Sequence, residues 1–138
     1  MGDGVTAFFL VEAAESESAA ARSCVAAARN LRSVLSDVAS ASGLNAEEVT
    51  LRFGLHWGAT LYFGAITTGG RAEVTALGDE VNEAARIEAC AAGGRILASK
   101  DLIERLDDAD AVALELDPAR ITCTPACGAP GGHRQGAT

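Results

Sequence analysis

The sequence predicts an α+β domain of the ferredoxin-like class, in the order strand, helix, strand, strand, helix, strand, helix, strand. Three observations carry this. Short apolar runs rich in β-branched residues are bounded by turn-forming glycines, as strands are. Two alanine-rich stretches place their larger apolar residues at helical spacing and stop at glycine. The first six elements then read strand-helix-strand-strand-helix-strand, which is the ferredoxin-like βαββαβ arrangement.

Each element has its own warrant. Val5 to Val11 is apolar and rich in β-formers, so it is expected to be a buried strand. Ala13 to Ser42 carries Val25, Leu31, Val34, Leu35 and Val38 at near-helical intervals, and Gly43 is its stop signal. Val49 to Trp57 and Ala59 to Thr67 read as two strands joined in a hairpin at Gly58. Gly69-Gly70 is a turn, followed by a short extended piece from Ala72 to Thr75. Asp79 to Ala91 is the second helix, closed by Gly93-Gly94. Arg95 to Ala98 is a strand. Ser99 caps a short helix through Leu106, with Asp101 favourably placed near the positive end of the helix dipole. Ala111 to Leu116 is a last strand. From Thr122 onward there is no Val, Leu, Ile or aromatic residue, and two of the three prolines lie there. Such a segment cannot bury enough apolar surface to order itself. The expected division is a domain over 1–121 and a disordered tail over 122–138.

Composition narrows the function. The chain has 138 residues, 49% of them hydrophobic, and a net charge of -8. It is long enough for one domain with a real core. The acidic balance argues against a nucleic-acid or anionic-membrane surface, which needs clustered Lys and Arg. No secretory leader is read after Met1 and no apolar run reaches the ~20 residues of a membrane span. A cytoplasmic protein with four reduced cysteines is expected, Cys24 and Cys90 packing as small apolar groups. Cys123, Cys127 and His133 fall short of the four ligands usual for zinc.

The chemistry gathers in Leu77-Gly78-Asp79-Glu80-Val81-Asn82-Glu83-Ala84-Ala85-Arg86-Ile87-Glu88. A turn opens into a helix, and Asn82 and Arg86 share one face of it. A guanidinium offers a planar fork suited to phosphate, and an amide adds a neutral donor beside it. Spacing alone is more often that of a solvated helix face.

This stretch resembles the signature of the class III adenylate/guanylate cyclase catalytic domain. Arg52-Phe53-Gly54-Leu55-His56-Trp57-Gly58 is similar to the family's strand ending in Gly-Ile-His-x-Gly. Tyr62-Phe63-Gly64, Ala92-Gly93-Gly94-Arg95-Ile96-Leu97-Ala98-Ser99 and Gly2-Asp3-Gly4-Val5-Thr6-Ala7-Phe8-Phe9 resemble further family segments in the family's order. The likeness runs from about Met1 to Leu106. It implies a fold that elaborates the ferredoxin-like one, and cyclisation of ATP, or of GTP, by attack of the ribose 3'-hydroxyl on the α-phosphorus. It also implies Mg²⁺ or Mn²⁺ held by two aspartates, of which Asp3 matches one. Asn82 matches the ribose-orienting asparagine, and Arg86 the arginine that stabilises charge on the α-phosphate. Thr75 falls where the purine is read, and threonine there favours adenine. Its other reading is a β-branched strand residue. His56 has apolar neighbours and no evident acid partner, so it is read as structural.

Other family features are not found between Met1 and Thr138: the strand with the first metal aspartate, its helices, the first arm of the Gly-Asp hairpin and the purine-contacting lysine. The expectation is a family fold missing its first strand and helices. Family sites form between two subunits, one giving the aspartates and the other the Asn and Arg. The resemblance therefore implies a homodimer or a heterodimer with another cyclase domain, and little activity from this chain alone. The alternative is a non-catalytic cyclase-homology module that dimerises with a complete cyclase.

Overall fold

The computed structural model describes residues 4–45, 49–117, 124–125 and 136–137. The first long element is helix α1, Glu17–Ala41. Ser16 sets its start, its hydroxyl accepting from the Ala19 N–H at 3.0 Å. Its end is a Schellman motif: Gly43 has φ 70°, and the Gly43 and Leu44 N–H groups donate to the Ser40 and Ala39 carbonyls at 3.3 and 2.9 Å. One face buries Ala21, Val25 and Ala28 in the core. Leu31, Val34 and Val38, which share the helical spacing of Val25 in the sequence, are each about half exposed.

Strand β1, Phe53–Leu55, pairs in parallel with β4, Ile96–Ala98. Strand β2, Tyr62–Thr68, pairs antiparallel with β3, Arg71–Leu77. The hairpin expected at Gly58 is therefore corrected. β1 spends its ladder on a distant strand, and the hairpin closes one turn later. Gly69 and Gly70 have φ 60° and 81°, the doubly positive pair that a two-residue type I′ turn demands. After β3 comes helix α2, Asp79–Cys90. Short helices α3, Lys100–Glu104, and α4, Asp108–Ala113, follow β4. The Ser99 cap is as expected, with its hydroxyl accepting from the Leu102 N–H at 3.3 Å.

Two further expectations fail for clear reasons. Ala111 to Leu116 is not a strand. Asp107 caps α4 by accepting from the Asp110 N–H at 2.8 Å, and an Asp-Ala-rich run with such a cap favours helix over ladder. Val5 to Val11 is not a strand either: it has no regular structure until a 3-10 turn at Val11–Ala13, and Val5 is 96% exposed. No strand among the described residues pairs with it, and a β-run without a ladder partner leaves its backbone to water. In the segment expected to be disordered, β5, Thr124–Pro125, pairs with β6, Gly136–Ala137. The rest of 122–138, with Cys123, Cys127 and His133, lies outside the described residues.

The core joins α1 to the β1–β4 pair through Ala21, Val25, Ala28, Leu55, Ala98, Leu102 and Leu114. α4 is pinned to α1 by a partly buried polar network. The Ser18 hydroxyl donates to Asp110 Oδ2 at 2.5 Å, Arg22 Nη1 donates to Asp110 Oδ1 at 2.7 Å, and the Asp107 N–H donates to Ser18 Oγ at 2.8 Å. Asp110 thus has partners on both oxygens, the condition under which a buried carboxylate is tolerated.

The cysteines divide. Cys90 is disulfide-bonded, which corrects the expectation of four reduced thiols. Cys24 is free, and burial pushes its thiol up from 9.0 to about 11. The unfolded thiol ionises first, so stability present below about pH 9 is lost as pH rises toward 11. At pH 8 the native chain is expected to resist iodoacetamide at Cys24 and to react only once denaturant is added. Labelling of native Cys24 as fast as free cysteine, read by mass spectrometry, would contradict this burial.

Candidate functional site

The site is built on the face that α2 turns toward β1. Along a strand, alternate residues share a face, and along a helix every fourth residue does. Arg52, Gly54 and His56 thereby meet Glu88, Ala84 and Glu80, the strand and helix running in opposite directions. Arg52 Nε lies 2.9 Å from Glu88 Oε1. A Cβ on Gly54 would stand 2.5 Å from the Ala84 carbonyl oxygen and 2.7 Å from Glu88 Cα, so glycine lets the strand lie directly on the helix backbone. His56 Nε2 is 2.5 Å from Glu80 Oε2. His56 therefore has an acid partner, contrary to the sequence reading.

That stripe decides where Asn82 and Arg86 point. They lie two residues beyond Glu80 and Ala84, about half a helical turn around the axis, so they face away from β1. Asn82 is exposed, and the Arg86 side chain is 76% exposed. Arg86 Nη1 reaches Glu83 Oε2 at 3.5 Å, a loose i,i+3 pair that contributes little in water. Gly78, at φ 122° and ψ 177°, makes the reversal from β3 into α2 through a backbone region essentially closed to residues with a Cβ. Asp79 and Glu80 occupy the first turn, where the dipole favours acids.

The other sequence candidates are placed as follows. Thr75 is on β3, opposite Gly64 of β2 and close before the Gly78 turn. Asp3 lies outside the described residues. The structure thus unites Asn82 with Arg86 on one surface and puts Thr75 on the strand leading into it. Among the described residues no group of three or more His, Cys, Asp or Glu side chains could hold a metal ion. No helix of the described residues is long and apolar enough to cross a membrane.

Sequence reasoning missed Glu80 and Glu83. Glu83 was legible as the acid three residues before Arg86. Glu80 was legible only by pairing the 52-54-56 alternation with the 80-84-88 period in opposite directions.

A family described as the adenylate and guanylate cyclase catalytic domain matches residues 1–125. No curated protein and no solved structure matches the chain.

Proposed function

The chain belongs to the family of adenylate and guanylate cyclase catalytic domains, and on that premise we propose that it serves the formation of cyclic AMP from ATP by presenting Asn82 and Arg86 to the nucleotide. The observation that carries this reading is the outward placement of the pair. β1 holds the opposite face of α2, so both donors stand free of the domain's own packing. Asn82 orients the ribose, and Arg86 stabilises charge developing on the α-phosphate, where a guanidinium fork fits the phosphate oxygens. Thr75 reads the purine, which favours adenine over guanine.

Members of the family are generally metal-dependent and typically dimeric, and both properties enter the proposal. Asp3 is the candidate ligand for Mg²⁺ or Mn²⁺; a metal supplies charge neutralisation at the phosphates. Dimerisation has a physical argument in this chain. An arginine side chain that is 76% exposed works in a high dielectric, where charge stabilisation is weak. It gains strength only when a second surface covers it and excludes water. The proposed arrangement is a homodimer or a heterodimer, in which this domain, with the family's ferredoxin-like core, lends Asn82 and Arg86 to a site completed by its partner.

The second reading is a non-catalytic cyclase-homology module that lends the same two residues to a complete cyclase. A mixing experiment separates a self-sufficient homodimer from a domain that lends its residues to a partner. The chain is combined with a cyclase domain that keeps its metal aspartates but has alanine in place of its own Asn and Arg, and cyclic AMP is measured with ATP and Mn²⁺. Cyclic AMP from the chain alone supports the homodimeric enzyme. Cyclic AMP from the mixture only supports the lending of Asn82 and Arg86 to a partner's site, as a heterodimer or as the module. None from either overturns both readings.

A further inference from the structure

We propose that His56 and Glu80 form a positioning clamp that fixes the first turns of α2 and, through them, Asn82 and Arg86; this rests on the reading of those two residues given above. The His56 side chain is 9% exposed, and its Nε2 lies 2.5 Å from Glu80 Oε2. Its Nδ1 is buried and has no hydrogen-bond partner among the described residues. An unpartnered buried ring nitrogen costs stability, and an apolar residue of similar shape would avoid that cost. Packing alone does not account for the histidine. What it adds is direction: one hydrogen bond between the end of β1 and one point on the helix.

Gly58 takes part in the same arrangement. A Cβ there would stand 3.0 Å from both Cβ and Cγ of Glu80. The segment Gly54-Leu55-His56-Trp57-Gly58 thus acts on α2 at every second residue. Gly54 admits the backbone at Ala84 and Glu88, His56 grips Glu80, and Gly58 leaves the volume that the Glu80 side chain fills. At the other end of the helix the Arg52–Glu88 pair has side chains 54% and 39% exposed, so it orients weakly. The clamp, with a histidine 9% and a glutamate 36% exposed, is the better shielded hold, and it sits two residues before Asn82. A shift of about 1 Å in a positioned group costs on the order of a hundredfold in rate.

The test compares Glu80→Ala with Glu80→Gln, which keeps an acceptor for the histidine N–H. Amide resonances of the full-length chain are assigned, and the rate in the mixed cyclase assay is measured beside them. For Glu80→Ala we expect displaced Asn82 and Arg86 signals, with those of the core residues Ala21, Val25 and Leu102 in place. The rate constant kcat falls roughly 10- to 100-fold while KM for ATP stays within about threefold, the mark of lost positioning and not of lost binding. Glu80→Gln restores most of both. Unmoved Asn82 and Arg86 signals overturn the clamp. So does a displacement spread evenly through the core, which would make the pair a general stabiliser. Should the wild-type chain yield no cyclic AMP in any mixture, the cyclase reading fails, and the resonances alone still decide the clamp.

Discussion

Gly54→Ala is expected to lower the thermal midpoint of this chain by about 10 °C or more. The added Cβ would stand 2.5 Å from the Ala84 carbonyl oxygen and 2.7 Å from Glu88 Cα. Both are backbone atoms of a helix, so no rotamer change relieves the overlap. Either β1 leaves its ladder with β4 or α2 backs away from the strand. Overpacking of this kind costs about 1–3 kcal/mol when side chains can give, and here they cannot, so about 3 kcal/mol is the expected scale. Gly54 is not among the glycines with positive φ, so the loss is steric and not torsional. Gly4→Ala is the control, because nothing lies within 4 Å of the Cβ it would add. Thermal unfolding followed by far-UV circular dichroism checks the pair. A Gly54→Ala midpoint within about 2 °C of wild type would mean that α2 does not lie on β1 as described.

What the sequence reveals and conceals here follows from how local each signal is. α1 was legible from its helical spacing and its Gly43 stop, which act within a few residues, though its Ser16 cap went unread and its start was set four residues early at Ala13; α2 was legible for the same kind of reason. The β2–β3 turn was legible as Gly69-Gly70, whereas the hairpin assigned to Gly58 was not real. Gly58 carries a glycine for the volume of a side chain 22 positions away, and no local rule separates that from a turn. The parallel pairing of β1 with β4 depends on contacts more than 40 residues apart, which periodicity does not encode. The final segment went to helix because the Asp107 cap outweighed a short apolar run. In the site, Asn82 and Arg86 were legible as a face and, through their resemblance, as a chemistry. Glu80 was hidden because its partner is tertiary. Thr75 and Asp3 rest on their sequence context alone.

Arg86→Ala is expected to reduce the rate of the mixed cyclase about 10²- to 10³-fold, with ATP affinity little changed. The guanidinium acts on charge that grows as the α-phosphorus is attacked, so its loss falls on kcat more than on binding. Arg86→Lys is expected to recover only part of the rate. An ammonium supplies charge but not the two parallel donors that match phosphate oxygens. Neither change should move the thermal midpoint measurably, because Arg86 faces away from β1 and its only described pairing is the exposed contact with Glu83 at 3.5 Å. This separates Arg86 from Gly54, whose substitution strikes stability first. Glu83→Gln is a further control: it frees the guanidinium of a weak competitor and should leave the rate within about twofold. Initial rates against ATP concentration, with binding measured by equilibrium dialysis of ATP and Mn²⁺, give the two quantities separately. If Arg86→Ala keeps the rate within about threefold of wild type, the Asn82–Arg86 pair is a solvated face after all, and the contribution of α2 to the domain reduces to the stripe it lays on β1.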